Sequence, residues 1–317
     1  MKIHTRPASI DEWQDVAFRC AWATWFHTPE WYRLWNEYSG SPFAADAFEL
    51  PDGRKAIFPY HFSNQLRGLT KFRFTPAGTY GGLISADEFS EAEITALRQA
   101  YERKYDHLRI REFPLSPFAR NRTDIKTELT YLIPIHEPVE NIIKGWRRNH
   151  QRNLRQVQRL NPVLHEARTE EEWKLYFQAY QETFVHWTLP ESEYDWRFFE
   201  LLHKQDSPNI KLWLLKADHG ILTGCICFYH NNTLEAWHQA TFDKFRDLRP
   251  NACLYAAIIH KSRESGYCWF DLGPSGFKEN VAHFKRGFSP RILPSNLYIR
   301  TPKWLETYQH VRKSLDL

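Results

Sequence analysis

Between Asn141 and Leu164 the chain holds Lys144, Arg147, Arg148, Arg152, Arg155 and Arg159 and no acidic residue. At about 100° per helical residue, Arg148, Arg152, Arg155 and Arg159 fall on one stripe, with Ile143, Trp146, Leu154 and Val157 on the opposite side. Like charges four residues apart repel, and a solvated face normally mixes in Asp or Glu to relieve this. Guanidinium groups suit two-point binding of phosphate. The stripe therefore points to an anionic ligand such as coenzyme A, a nucleotide sugar or tRNA. An ordinary exposed face, or a surface for an acidic partner, is the plainer reading.

Further along, Phe284-Lys285-Arg286-Gly287-Phe288 sets cations between aromatic rings. Lys285 there could steady a developing oxyanion, and Arg286 is a second bearer of that role. The alternative is a lysine on the outside of an amphipathic helix. His238, in Glu235-Ala236-Trp237-His238-Gln239, is a candidate proton acceptor, weighed against a packed core histidine. In a regular strand His238 shares a face with Ala236, and Glu235 with Trp237, so His238 and Glu235 cannot both aim at one site. Asp271 in Phe270-Asp271-Leu272-Gly273 either orders the next loop or binds an amine. Tyr80-Gly81-Gly82 either brings backbone close to a ligand or makes a turn. His186-Trp187 could line a pocket.

The elements that must position these residues follow a definite order from about residue 169. Thr169 reads as an N-cap with Glu172 as its capping-box partner, opening a helix to about His186. A second helix spans about 195–203. Three extended runs, 210–216, 221–229 and 233–241, are separated by short turns and predict an antiparallel meander. A helix over 251–265 stops at Gly266. A buried strand (267–272), a helix (277–288) and a last strand (about 292–300) complete the half. Residues 1–135 give a looser version of a similar order: helix 29–38, strands near 44–50 and 55–62, helix 90–105, and strands at 107–113 and 128–134.

Composition narrows the class. A chain of 317 residues with 42% hydrophobic and 25% charged content fits two globular domains or one large one. The net charge of +4 is too small for a dedicated nucleic-acid binder but suits anionic ligands. Cys20, Cys225, Cys227, Cys253 and Cys268 form no CxxC pair and read as reduced core thiols. The first stretch is broken by Asp11, Glu12 and Asp15, and no apolar run reaches the roughly 18 residues that span a bilayer, so a cytoplasmic protein without membrane insertion is expected. HExxH, EF-hand, GxxxxGK[ST] and GxSxG patterns are all missing, and no metal is expected.

Taken in order, Thr28-Pro29-Glu30-Trp31, Gly78-Thr79-Tyr80-Gly81-Gly82, the basic helix around Arg148 to Arg159, Phe270-Asp271-Leu272-Gly273 and Phe284-Lys285-Arg286-Gly287-Phe288 resemble the FemAB-like, double-GNAT acyltransferases over nearly the whole chain. The resemblance implies an α/β fold of the α+β type. It would be built as two tandem GNAT-like domains, each a mixed, mostly antiparallel sheet flanked by helices. The expected division is 1–135 and 136–317, the second domain carrying a basic helix over 141–160.

The implied activity is N-acyl transfer, moving an acyl or aminoacyl group from an activated donor to an amine. A tRNA-dependent aminoacyl transferase of the peptidoglycan type, and a non-catalytic anion-binding protein on a degenerate GNAT fold, are the alternatives. The resemblance places Lys285 near the reacting carbonyl and a base on the third meander strand, at His238. Arg148, Arg152, Arg155, Arg159, Asp271 and Tyr80 are then candidates for binding substrate or cofactor. Acyl-CoA and aminoacyl-tRNA both stand as co-substrate, and the acceptor is a small-molecule amine or a cell-envelope precursor. Where single-domain acetyltransferases carry a glycine-rich donor loop, this chain has Asp247-Leu248-Arg249-Pro250-Asn251-Ala252, whose proline removes an amide donor.

Overall fold

A computed structural model of the chain describes residues 1–64, 70–73, 76–119, 126–185, 193–305 and 307. His186 and Trp187 lie outside the described residues. The chain divides into two compact units, residues 1–128 with 294–317, and residues 129–293.

The first unit runs β1 (His4–Pro7), α1 (Ile10–Arg19), α2 (Pro29–Ser39), β2 (Phe43–Glu49), β3 (Lys55–Asn64), β4 (Thr70–Arg73), α3 (Glu91–Lys104) and β5 (Leu108–Arg111). Capping fixes the helix starts. Ser9 accepts from Glu12 N, Thr28 from Trp31 N, and Ser90 forms a reciprocal box with Glu93. The sheet order is β1-β2-β3-β4-β5, completed by the last strand of the chain, β12 (Arg291–Arg300), whose Leu297 to Arg300 pair antiparallel with Arg111 to Leu108. All neighbours are antiparallel except β4 and β5, which run parallel for only Phe72↔Leu108 and Arg73↔Arg109. One face packs Phe48, Phe58, Leu108 and Ile110 against Leu97 and Tyr101 of α3. On the opposite face Tyr32 of α2 stacks on His61 of β3, ring centroids 4.6 Å apart.

The second unit begins in β6 (Lys126–Pro134) and continues through α4 (Val139–Lys144), α5 (Arg148–Gln158), β7 (Val163–Glu166), α6 (Glu170–Val185) and α7 (Trp196–Lys204). β8 (Ile210–Ala217), β9 (Gly220–His230), β10 (Thr233–Thr241), α8 (Asn251–Glu264), β11 (Trp269–Pro274) and α9 (Glu279–Arg286) follow. The Thr169–Glu172 capping box expected from sequence is present at the start of α6, each residue's backbone N–H reaching the other's side-chain oxygen at 3.3 Å. Sheet order is β7-β8-β9-β10-β11-β6, and β10–β11 is its parallel pair. The core gathers Leu154 and Val157 of α5, Leu254, Ile258 and Ile259 of α8, and Leu234, Phe270 and Leu272 of the sheet.

The two units repeat one plan: strand, two helices, three strands, helix, strand. Each has its parallel contact between the same two members of the series. The final strand of each sheet comes from elsewhere in the sequence, so the units do not divide the chain at 135/136: residues 129–135 belong to the second unit and 294–317 to the first.

The basic segment also differs from expectation. A single helix over 141–160 is replaced by α4 and α5, separated at Gly145-Trp146-Arg147. Arg147 is non-helical (φ −58°, ψ 146°), because its N–H bonds to Gly287 O at 2.8 Å while Trp146 is buried edge-on against Phe288. Trp146 therefore does not share a helix with Leu154 and Val157.

Candidate active site

The parallel contact between β10 and β11 covers only Thr233↔Trp269, Leu234↔Phe270 and Glu235↔Asp271. Beyond that last pair the strands part. At the same point the β9–β10 register shifts between Ala236 and His238, leaving Trp237 as an extra residue. A bulge of this kind reverses the alternation of faces, and the face expected for His238 is corrected accordingly. Ala236 packs on the α8 side of the sheet. His238 instead turns with Trp237 toward α6 and α7, its ring 5.4 Å from Tyr180 and 5.6 Å from Tyr194.

His238 is half-buried as a residue, but its imidazole is enclosed by these rings, and loss of solvent pushes its pKa down to about 3. It is neutral over the whole physiological range. A base that weak takes a proton from an attacking amine poorly.

Glu235 and Asp271 occupy the last paired positions before the opening, on the face away from Leu234 and Phe270. Both are buried, at 2% and 0% exposure. Asp271 Oδ1 accepts from Thr130 Oγ1 at 3.2 Å and from Gly273 N at 2.7 Å, so Asp271 orders the irregular end of β11. The pair was obscured in sequence because regular alternation was applied across the bulge. Its legible signal is an acid inside each of two otherwise apolar stretches, Leu234-Glu235-Ala236-Trp237 and Trp269-Phe270-Asp271-Leu272.

Lys285 reaches the same strand end from α9. Its ammonium donates to Gly273 O (3.1 Å) and Pro274 O (2.8 Å). Arg286 pairs with Glu279 at 2.6 Å. Phe284 and Phe288, which flank these cations in sequence, pack with Tyr255 of α8 and with His150 of α5. The His150 ring stacks on Phe288 at 4.2 Å and its Nε2 donates to Phe284 O at 3.1 Å. The motif is thus a clamp joining α9 to the start of α5.

Arg148, Arg152, Arg155 and Arg159 are all exposed, and among the described residues none makes an ion pair. The helix meets α8 through His150, Asn153, Leu154 and Val157, which turns the arginines outward. Tyr80 lies in the first unit, 2% exposed and edge-on to Phe113, and is not part of this group.

A cavity of about 390 Å³ lies where β10 ends and α8 begins, lined by Thr183, Gln239, Thr241, Asp243, Arg246, Asp247, Arg249, Pro250 and Asn251. Asn251 Oδ1 accepts from Gln239 (2.7 Å), Thr241 (3.0 Å) and Thr223 (3.3 Å), and its amide returns a bond to Gln239 Oε1 at 2.9 Å. Arg249 holds the left-handed backbone position (φ 51°) that a glycine would occupy at lower strain. Gln239, Arg246 and Arg249 were not singled out from sequence; the pair of arginines three apart ahead of Pro250 was the available signal.

The sequence of residues 144–286 matches the acetyltransferase (GNAT) domain family. Residues 144–286 form a GNAT acyltransferase domain. The chain as a whole has the fold of FemX, with a TM-score of 0.71 at 12% identity, covering 99% of this chain and 100% of that one. It is also similar to the C-terminal domain of a putative lysylphosphatidylglycerol synthetase from Agrobacterium fabrum (TM-score 0.56, 12% identity, 92% of each chain). A conserved protein of unknown function from Bacteroides thetaiotaomicron gives a TM-score of 0.57 at 9% identity, covering 95% of this chain and 100% of that one. No curated protein matches the chain in sequence. The family match is confined to residues 144–286, while over its whole length the chain shares the FemX fold. Among the described residues no helix is long and apolar enough to cross a membrane.

GNAT domains generally take an acyl-CoA donor, and the residues at the head of α8 allow that group to be tested. Arg246, Arg249 and the positive end of the helix dipole suit a phosphate-bearing donor, whereas Asp243 and Asp247 oppose one. Pro250 offers no N–H, and the Asn251 side chain is held by Gln239, Thr223 and Thr241. The lining fits one phosphate bridged by two arginines better than a diphosphate cradled by backbone amides.

Proposed function

We propose that the chain is an N-acyltransferase whose chemistry takes place at the opening between β10 and β11. The observation that carries this reading is the end of the parallel pairing at Glu235↔Asp271, inside the unit that matches the GNAT family. The carbonyl carbon of an ester or thioester donor enters the opening, and the acceptor amine is held against the buried carboxylates of Glu235 and Asp271. Holding the two reactants together supplies most of the rate. Lys285 fixes the Gly273-Pro274 end of β11 beside the opening and adds positive charge where the oxyanion develops. His238, neutral throughout, walls the opening with Trp237 and is a secondary proton acceptor.

Arg148, Arg152, Arg155 and Arg159 would hold the anionic portion of donor or acceptor. Because that stripe is exposed and, among the described residues, carries no carboxylate partner, aminoacyl-tRNA is the second reading for the donor. The acceptor is a small-molecule amine or a cell-envelope precursor, in keeping with the likeness to FemX and to a putative lysylphosphatidylglycerol synthetase. The test is a thermal-shift and mass-spectrometric screen against acetyl-CoA, longer acyl-CoAs and a charged-tRNA pool. Stabilisation by a thioester, lost in the Arg148→Ala/Arg152→Ala/Arg155→Ala variant, establishes a coenzyme A-type donor. Stabilisation by charged tRNA alone establishes aminoacyl transfer, and no response to either defeats the proposal.

A further inference from the structure

The repeated plan of the two units places β4 and β5 of the first where β10 and β11 stand in the second. In both, an apolar pair is followed by a charged pair at which the parallel contact ends. In the second unit these are Leu234↔Phe270 and then Glu235↔Asp271; in the first they are Phe72↔Leu108 and then Arg73↔Arg109. The equivalent positions thus carry opposite charge.

Around Arg73 and Arg109 the cationic character extends. Lys71 lies two residues before Arg73, on the same face of β4, and His107 stands opposite it, where Phe72 N bonds to His107 O at 2.9 Å. Phe72 and Leu108 turn the other way, into the core beneath α3. Lys71 and Arg109 are held below their usual pKa by burial first, then by the neighbouring arginines; His107 is lowered by burial, then by Lys71 and Arg73. Among the described residues no carboxylate pairs with Lys71, Arg73, His107 or Arg109, and both arginines are exposed to a ligand. Arg111, next on that face of β5, is by contrast answered by Glu128 at 2.8 Å. The sheet supplies a counter-charge to the buried Arg111, and among the described residues none is supplied to the cations at the mouth of β4 and β5.

Three cations and a buried histidine, gathered at a strand opening, match the chemistry of a multiply charged anion. Two guanidinium groups on registered neighbours offer parallel donors to phosphate oxygens, and Lys71 and His107 add single donors. We propose that Lys71, Arg73, His107 and Arg109 form a binding site on the first unit for the phosphate or diphosphate ester of a substrate. The inference stands on the first unit alone and does not depend on the transfer activity assigned to the second.

The experiment titrates the full-length protein with inorganic pyrophosphate by calorimetry and by thermal shift. It compares the wild type with Arg73→Gln and Arg109→Gln, and with Lys174→Gln and Lys204→Gln, exposed lysines outside every anion site described above, as controls. Each of Arg73→Gln and Arg109→Gln weakens pyrophosphate binding by about tenfold or more, while the control variants retain the response. Without anion, both single variants melt no lower than the wild type, because a repulsive charge has been removed. Parallel binding to phosphatidylglycerol vesicles reports whether the phosphate is carried by a soluble molecule or a lipid headgroup; dependence on Arg73 and Arg109 in either arm supports the site. Unchanged pyrophosphate and vesicle binding in both arginine variants overturns it. So does a loss of melting temperature in both without anion, which would make the arginines structural.

Discussion

Replacing Gly287 by alanine tests whether the Phe284–Phe288 motif is a clamp or a surface helix end. Its backbone is ordinary (φ −65°), so no penalty arises from conformation. The penalty is steric: a Cβ at Gly287 would overlap Nε2 and Cδ2 of His150 and come within 3.0 Å of Phe284 O. The imidazole cannot swing aside without leaving its stack on Phe288 and its bond to Phe284 O. Overpacking in a tight site costs about 1–3 kcal/mol, loss of the hydrogen bond about 1 kcal/mol, and loss of the ring stack about 0.5–1.5 kcal/mol. The sum is about 2.5–5.5 kcal/mol, a large part of the stability of an ordinary domain. Urea unfolding of Gly287→Ala, His150→Ala and the double variant forms the assay. If the overlap is the cause, His150→Ala relieves it, and the double variant is more stable than the sum of the singles predicts by about 2 kcal/mol. A Gly287→Ala variant within about 0.5 kcal/mol of wild type, or additive singles, would refute the reasoning.

Other expectations follow from the same geometry. His61 is 1% exposed, and burial lowers its pKa to about 4, against an unperturbed value of 6.5. Its neutral form is the one that folds, so its contribution is complete above pH 6.5 and lost as pH falls toward 4, a change of roughly 3 kcal/mol. His61→Phe should flatten the stability–pH curve of the protein across that window, and an unaltered slope counts against the assignment. Glu235→Gln and Asp271→Asn should each lower amine transfer about a hundredfold, with KM for the amine rising; His238→Phe should lose less than about tenfold. Steady-state kinetics with the identified donor decides between them. The triple alanine variant at Arg148, Arg152 and Arg155 should melt as the wild type does but bind anions with a weaker dependence on salt. Deleting residues after Leu293 removes the strand that pairs with β5 and the Asn296–Ala119 bond, so hydrogen exchange should show the first unit unprotected and the second intact.

What sequence revealed and what it hid divide along the range of the forces involved. The capping box at Thr169 and Glu172, the meander of β8, β9 and β10, and the stop of α8 before Gly266 rest on neighbours within a few residues, and periodicity and turn chemistry report them directly. The break between α4 and α5 does not, because Trp146 leaves the helix to meet Phe288, far away in the chain. Nor does the bulge at Trp237, which arises when a strand must satisfy α8 on one face and two aromatic helices on the other. β4 is only four residues long, too short for alternation to mark it, and pairing with β5 alone brings its cations beside Arg109. For the candidate site the residue types were legible in Asp271, Lys285 and His238. Their partners were not: the carbonyls that hold Lys285, and Glu235 registered beside Asp271, are set by pairing between strands.

The strand that closes the first sheet is made last. β5 is synthesised near residue 110, yet its antiparallel partner, Leu297 to Arg300, follows the whole of the second unit. On a ribosome the N-terminal sheet waits with β5 lacking this neighbour, an open edge that invites pairing with other chains. Closing it requires a contact spanning most of the chain, the kind of long-range pairing that slows folding. The exchange ties the completion of the earlier unit to the arrival of the later one, so a ribosome that stalls inside the second unit releases a first unit that lacks its final strand.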